Sequence, residues 1–391
     1  MVLPYLYLAL GAPIFFAGLL LPIFQLTRLA TPTLAAPLIQ KAKARKWFIM
    51  ASFFAMALTL TLLGLSAHSA SKEWLVIIFL LTAAAIGCGE GVTSLAFNDL
   101  IGRELSPERR NILLYINTAL AGCATIAAVW GIGSMLHFAS AFHSHLALIW
   151  WGAGATFFAG IAVAFVRETS TAQNRDQSTG GTHVPEHAER YIRSLRDGLS
   201  EAVRVSWFRH FLLARALLLS IELAMPFYAI HAAAHFRQHS GSLSIFVIST
   251  SIALIAGGIL WRRVSGKSEK AVMVLGAALA AIGGVWAISI EFAEHQRHPA
   301  LHAAVFFFVA IGSQGVIGAR KAYLLNLAPK NQRAYYVAAG NTLTGIVGIF
   351  FGFLLGSIAH LQGVIWPLMI LVGLNLSTSM YCGRLPQSEQ N

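Results

Sequence analysis

Charged residues are scarce in this sequence. Asp, Glu, Lys and Arg make up 11% of its 391 residues, whereas hydrophobic residues make up 57% and the mean hydropathy is +0.66. Soluble globular domains are about one-quarter charged, because they need a polar surface. The shortage of charge excludes a soluble globule and indicates a chain that lies mostly within a bilayer.

Cysteine and catalytic motifs are also scarce. The three cysteines, Cys88, Cys123 and Cys382, have no CxxC spacing, so they predict neither a disulfide framework nor a metal site. The sequence contains no HExxH, GxSxG or P-loop motif, and its loops are too short to build a separate catalytic domain. We therefore expect no enzymatic activity and no cofactor.

Long apolar windows are abundant. A bilayer core about 30 Å thick requires roughly 20 apolar residues per helix. The sequence has eleven such windows, at residues 4–26, 47–67, 74–94, 112–136, 146–166, 207–230, 243–261, 271–290, 302–319, 335–359 and 364–382. They predict an all-α polytopic membrane protein with about 11 transmembrane helices.

Basic residues are unevenly distributed between the loops. Cytoplasmic loops retain Lys and Arg, and basic groups follow the first, third, seventh and ninth windows. These groups include Arg28, Lys41, Lys270, Arg320 and Lys321. The pattern places the N-terminus outside and the C-terminus in the cytoplasm, and we expect a bacterial inner membrane. It also explains the net charge of +12 without a nucleic-acid partner. The expected partners are membrane lipids, a small-molecule substrate and a coupling ion, and we expect a monomer.

One long polar stretch divides the chain. Residues 168–206 are rich in Thr, Gln, Asn and charge, and predict a cytoplasmic linker. From Pro185 to Trp207 the apolar spacing is that of an amphipathic helix on the membrane surface, although a solvated linker helix fits equally well. The division predicts a bundle of five helices over residues 1–167 and a bundle of six over residues 207–391.

The two halves contain an internal repeat. The segment LSPERR at 105–110 recurs as LAPKNQR at 327–333, an offset of 222 or 223 residues. The same offset carries the second, third and fourth windows onto the eighth, ninth and tenth. The sixth window has no counterpart in the first half. We infer an initial helix preceding Met1 that this chain lacks, and an authentic eleven-helix protein is the alternative.

The topology, the repeat and the basic loops together resemble the major facilitator superfamily of secondary transporters. The loop after the second helix of that superfamily reads roughly Gly-x-Leu-x-Asp-Arg-x-Gly-Arg-Arg. A looser copy begins at Gly258, has Arg262 at the acidic position, retains Arg263, places Gly266 one position late and ends at Lys267. The resemblance implies two bundles that alternate access to a central site, and the departures from the motif predict a divergent branch.

Ionisable side chains within the windows are the candidate site residues, because a charge at bilayer depth usually faces a cavity or a partner. Glu90 and Glu222 are candidate proton-coupling carboxylates. Arg215 lies two turns before Glu222 on the same helix face and is a candidate contact for a substrate carboxylate. The uncharged polar candidates are Asn117, Gln314 and Asn341. For each residue an interhelical hydrogen bond or an interfacial position is the structural alternative.

Histidine is concentrated toward the predicted outer side. His231, His235 and His239 have i, i+4, i+8 spacing, which would present their rings along one helix face as a divalent metal site requires. No carboxylate or cysteine cluster accompanies them in the sequence. We therefore predict no metal site and retain these three residues only as alternative candidates.

The resulting prediction is a proton-coupled secondary transporter, with efflux of amphipathic compounds favoured because buried charge is scarce. The alternatives are a small-carboxylate transporter, a divalent-metal transporter, or a membrane sensor of transporter descent that does not transport.

Overall fold

A computed structural model shows the protein as a set of long helices. It describes residues 2–9, 13–41, 44–67, 72–104, 117, 120–131, 141–166, 204–236, 242–265, 268–293, 298–328 and 333–385. The helices in these ranges are α1 (Val2–Ala9), α2 (Ile14–Lys41), α3 (Lys46–Ser66), α4 (Lys72–Glu104), α5 (Leu120–Gly131), α6 (Ala141–Ala164), α7 (Ser206–Phe236), α8 (Ser242–Ser265), α9 (Glu269–Phe292), α10 (Pro299–Leu327), α11 (Arg333–Gln362) and α12 (Ile365–Gly383).

The predicted all-α membrane fold is confirmed. Among the described residues, ten helices are long and apolar enough to cross a bilayer, and α5 is a shorter apolar helix inside the fourth predicted window. The long helices correspond one to one with the remaining windows, except at the N-terminus.

The prediction of one continuous helix over residues 4–26 is wrong. The structure divides this stretch between α1, which ends at Ala9, and α2, which begins at Ile14 directly after Pro13. A proline fixes its own φ and disfavours helical backbone in the residue before it. Averaged hydropathy conceals such a break because the residues on both sides are apolar.

The split also gives the sixth window a partial counterpart. Adding the repeat offset of 223 to residues 2–9 of α1 gives 225–232, which lies within the second part of α7. Adding it to the start and end of α2 gives 237 and 264, close to the bounds of α8. The inference that α7 has no counterpart in the first half therefore needs correction, because α1 occupies part of that position.

Several helices extend beyond their windows, among them α2 and α10. The windows ended at residues 26 and 319, whereas α2 continues to Lys41 and α10 to Leu327. Arg28, Arg320 and Lys321 therefore lie within helices, which corrects their assignment to loops. A hydropathy window ends at its first charges, but the helix continues here because these side chains face a space between helices.

Packing brings the two halves together along α1 and α2. In the first half α2 packs on α4, and α3 packs on α4 and α6; in the second half α9 packs on α10 and α12, and α8 packs on α10. Between the halves, α2 runs along α11, and both α1 and α2 contact α7. The predicted linker lies outside the described residues up to residue 203, and so does most of its amphipathic helix.

The two ends of the helix bundle differ in charge. The basic end carries exposed Arg262 and Arg263 in the last turn of α8, and Lys270, whose ammonium donates to the carbonyl of Leu385 at 2.7 Å. The opposite end carries α1, the C-terminal turns of α7 and α9, and the first turns of α8 and α10. The basic end is the one that the loop charges predict to be cytoplasmic.

Candidate functional site

A cavity of about 480 Å³ lies between the halves, in the part of the molecule nearer the basic end. Its walls come from α2, α4, α7, α10 and α11. Its polar lining residues are Gln25, Arg28, Ser94, Arg215, Glu222, Arg320, Lys321, Asn341 and Thr344. Its apolar lining includes Leu21, Leu219, Leu223 and Leu324. A space of this volume is typical of a small-molecule site.

Glu222 ties three helices together at this cavity. Its carboxylate accepts a hydrogen bond from the Gln25 amide at 3.0 Å and forms an ion pair with Arg320 at 2.5 Å. The side chains of Glu222 and Arg320 are only 6% and 11% exposed, so water screens this ion pair weakly. Because Gln25 belongs to α2 and Arg320 to α10, the carboxylate of α7 connects the two halves of the chain.

Arg215 projects into the same cavity from α7, two turns before Glu222. Its guanidinium donates to the side-chain oxygen of Asn341 on α11, and its Nε is buried without a hydrogen-bond partner among the described residues. A Cβ atom on the adjacent Gly340 would lie 2.9 Å from Arg215 Nη1, so the glycine leaves room for the guanidinium. The result is a buried cation, 6% exposed, with donor capacity unused.

The cavity carries an excess of positive charge. Arg28, Arg215, Arg320 and Lys321 line it, against one lining carboxylate, Glu222. Arg28 pairs with Glu90 on α4 at 3.2 Å, but both of these side chains are more than one-third exposed. Neither Arg215 nor Lys321 has a carboxylate partner in the part of the chain that the structure describes. Such a site attracts anions.

The two halves are closed against each other toward the opposite end. A Cβ atom on Gly18 of α2 would lie 3.1 Å from the Cα of Gly356 on α11, and one on Gly352 would overlap Pro22. Close backbone approach of this kind requires small residues. Nearby, the Tyr5 hydroxyl of α1 donates to the carbonyl of Phe236 at 3.1 Å. The cavity therefore lies between halves that separate toward the basic end.

Comparison with known proteins gives the family of this fold. The profile of the Major Facilitator Superfamily matches residues 1–352. The chain belongs to the Major Facilitator Superfamily. This assignment makes the protein a multi-pass membrane protein of a secondary-transporter family.

The chain is also similar to other bacterial proteins in sequence and to solved transporter structures in fold. Uncharacterized proteins of Mycobacterium tuberculosis and Mycobacterium bovis are 27% identical to this superfamily member over 375 residues, covering 95% of its chain and 70% of theirs. Two crystal structures of the nucleoside transporter NupG match, a point mutant with a TM-score of 0.64 at 13% identity and a second structure with 0.62 at 12%. They cover 97% of this chain and 93% and 92% of those chains. A POT family transporter in complex with 5-aminolevulinic acid matches with a TM-score of 0.61 at 10% identity, over 97% and 93% of the two chains.

Three of the predicted site residues of this superfamily member line one cavity: Arg215, Glu222 and Asn341. Glu90 does not line the cavity but pairs with Arg28, which does. Gln314 points elsewhere, since its side-chain oxygen lies against Gly257 on α8. Asn117 is exposed. The sequence could not distinguish the residues that line the cavity from those that do not, because all six interrupt apolar windows in the same way.

Gln25, Arg28, Arg320 and Lys321 line the cavity but were not predicted as site residues. Arg320 and Lys321 lie seven and six positions before the end of α10, and Arg28 lies thirteen before the end of α2. The window limits placed these three cations in cytoplasmic loops. A helical projection continued beyond each window would have placed Arg28 within α2, one turn after Gln25.

The predicted loop motif lies away from the cavity. Gly258, Arg262 and Arg263 belong to the last two turns of α8 and do not line it, while Gly266 and Lys267 lie outside the described residues. The histidines are also remote from it. His231 and His235 lie at the opposite end beside Glu291, a carboxylate that the sequence did not associate with them, and His239 lies outside the described residues.

Proposed function

We propose that this superfamily member is a proton-coupled secondary transporter of a small organic anion bearing a carboxylate or phosphate group. The observation that carries the proposal is Arg215, a buried guanidinium in the cavity between the halves whose Nε has no hydrogen-bond partner among the described residues. A buried donor without a partner costs free energy, about 1–3 kcal/mol or more for a charged group. An anionic substrate would satisfy it.

The charges around Arg215 support the same substrate class. Arg320 lies on the neighbouring wall and Lys321 follows it, and a planar guanidinium suits two-point binding of a carboxylate or phosphate. Cationic amphiphiles are disfavoured here, because four basic side chains would repel them.

The leucines of the cavity refine the proposal. Leu21, Leu219, Leu223 and Leu324 supply an apolar wall beside the cations. We therefore favour an anion with an aliphatic or aromatic portion, which retains the amphipathic character expected from the sequence and adds a negative charge to it. A fully polar dianion would leave that wall unoccupied.

Glu222 is the proposed coupling group. Its carboxylate is the one that lines the cavity, and it bonds to Gln25 of one half and Arg320 of the other. Protonation would remove the charge that holds Arg320 and would weaken the hydrogen bond that Gln25 donates from the other half. Glu90 is a poorer candidate, because it bonds to Arg28 within the first half and does not line the cavity.

The substrate assignment is tested by binding and transport with purified protein. Thermal-shift screening should find stabilisation by amphipathic anions, and neutral or cationic analogues of the same size should have little effect. In proteoliposomes, Arg215→Ala should weaken the affinity for such an anion about 10- to 100-fold, the equivalent of losing about 1.5–3 kcal/mol of charge-assisted hydrogen bonding.

The matched control for this test is Arg209→Ala, an exposed arginine nearly two turns earlier on the same helix. It should leave the affinity unchanged. Stabilisation by cations only, or equal affinities of the Arg215→Ala variant and the wild type for every anion that binds, would contradict the proposal.

The coupling assignment has its own test. Glu222→Gln should abolish accumulation of substrate driven by a proton gradient while retaining exchange of labelled for unlabelled substrate, because exchange needs no net proton movement. Glu90→Gln should retain both activities. If Glu222→Gln still accumulates substrate to the wild-type level, this residue is not the coupling group.

A further inference from the structure

Three histidines and a glutamate converge at the opposite end of the second half, outside the proposed transport site. His231 and His235 are one turn apart on α7, Glu291 is in the last turn of α9, and His302 is in the first turn of α10. Sequence spacing alone brings only the first two together. The fold adds the other two from helices that begin or end at the same level.

The ligand atoms are separated as they would be around one metal ion. His231 Nε2 lies 3.0 Å from Glu291 Oε2, and His235 Nε2 lies 3.2 Å from the same oxygen. The ligand atoms of all three residues lie within 4.8 Å of one another. Tetrahedral Zn²⁺ with bonds of about 2.0–2.2 Å would separate its ligand atoms by about 3.4 Å, so small movements suffice to admit the ion.

The imidazole rings agree with this geometry. The centroids of His231 and His235 are 5.0 Å apart, and His302 lies 5.4 Å from the first and 6.0 Å from the second. Two imidazoles bound to one tetrahedral ion would have centroids about 5 Å apart. Both ring nitrogens of His302 are buried without a hydrogen-bond partner of ordinary geometry among the described residues, so the ring has a nitrogen available.

We propose that His231, His235 and Glu291, completed by His302, form a binding site for a divalent transition-metal ion of the zinc class. Imidazole nitrogens and a carboxylate oxygen are the ligands that Zn²⁺ accepts. Binding through Nε2 displaces the protons that His231 and His235 direct at Glu291. Each neutral ring then carries its single proton on Nδ1, and only a ring that starts as the imidazolium releases a proton to the solvent. The side chains of Glu291 and His235 are 31% and 24% exposed, which provides a route for the ion from the outer surface.

The proposed site is structural, because it would link three helices. Four protein ligands leave no open coordination position, as in structural zinc sites, and the ion would fix the ends of α7, α9 and α10 relative to one another. It is separate from the cavity that holds Arg215 and Glu222, both of which lie more than two turns before His231 on α7. Metal binding and anion transport are therefore separable by mutation.

The test uses untagged, detergent-purified full-length protein, first treated with chelator and then titrated with Zn²⁺ by calorimetry. We expect one ion per chain and a rise in the thermal midpoint. Glu291→Gln, which keeps the side-chain shape, should weaken the affinity about tenfold or more, and His231→Ala with His235→Ala should abolish binding. Co²⁺ in the wild-type site should give the intense visible absorption of four-coordinate cobalt.

The control is His360→Ala, an exposed histidine in the last turn of α11 at the same end of the molecule. This variant should bind Zn²⁺ as the wild type does. Heats of wild-type strength from both Glu291→Gln and the double histidine variant would overturn the site, as would the absence of any saturable binding to the wild type. The conservative Glu291→Gln variant and the His302→Gln variant keep the test decisive if the double variant fails to fold.

Discussion

Replacing Glu222 and Arg320 by glutamine, separately and together, tests whether they act as one buried ion pair. In Glu222→Gln the Arg320 cation loses its negative counter-charge. In Arg320→Gln the Glu222 carboxylate loses its positive counter-charge. Removing one partner of a buried pair generally costs about 3–5 kcal/mol of folding free energy. Since these side chains are only 6% and 11% exposed, solvent screening reduces that figure little.

The expected magnitudes follow from these exposures and from the Gln25 bond. We take about 3 kcal/mol for each single variant, the lower end of that range, because the side chain at position 222 can still accept the hydrogen bond from Gln25 in both variants. Independent effects would sum to about 6 kcal/mol, whereas the double variant loses the same ion pair only once and should lose about 3 kcal/mol. The expected coupling is therefore about 3 kcal/mol.

Thermal unfolding in detergent provides the assay. With an unfolding entropy of about 2.1 cal/mol/K per residue, a chain of 391 residues shifts its midpoint by about 4 °C for 3 kcal/mol. Each single variant and the double variant should thus melt about 4 °C below the wild type. The control Glu73→Gln, at an exposed carboxylate in the first turn of α4, should leave the midpoint unchanged. Additive losses in the double variant, about 7 °C in total, would refute the idea of a coupled pair.

Two further predictions concern the contacts that close the halves. Gly352→Val should lower the thermal midpoint, by the equivalent of about 1–3 kcal/mol, because the valine side chain would force Pro22 and α2 away from α11. The control Gly348→Ala should be neutral, since its Cβ would meet only Leu219 at 3.9 Å. Equal losses in the two variants would argue against the close crossing of α2 and α11. Tyr5→Phe removes a hydroxyl that bonds to Phe236 and to the Ser242 hydroxyl at 2.8 Å, so it should cost about 1 kcal/mol; a wild-type midpoint would show that these bonds contribute nothing.

The site was only partly predictable from the sequence. Arg215, Glu222 and Asn341 could be predicted as site residues because each is a polar residue within an otherwise apolar window. Such residues usually face other parts of the protein and not lipid. Gln314 met the same criterion but lies against Gly257, because the sequence specifies a helix face and not the neighbour that covers it. The pairing of Glu222 with Arg320 joins residues 98 positions apart on helices whose relative rotation is set by packing.

The metal-site candidate shows the same limit. His231 and His235 are neighbours by helical periodicity alone, so the sequence identified them. Glu291 and His302 follow 56 and 67 positions after His235, and their approach depends on where α9 ends and α10 begins. Local spacing carries no information about either position, and the carboxylate was missed for that reason.

The sequence by itself determined that this protein lies in a membrane and that its secondary structure is helical. Apolar windows of bilayer length specify helices, because backbone groups in lipid must bond within their own segment. The repeat and the loop charges by themselves indicate the superfamily. Tertiary structure alone decided the rest: that Arg28, Arg320 and Lys321 enter a cavity, that Glu222 joins the halves, and that Gly18, Gly352 and Gly356 let α2 touch α11. These features depend on helix rotation and contact, and hydropathy, a property of each residue alone, does not encode them.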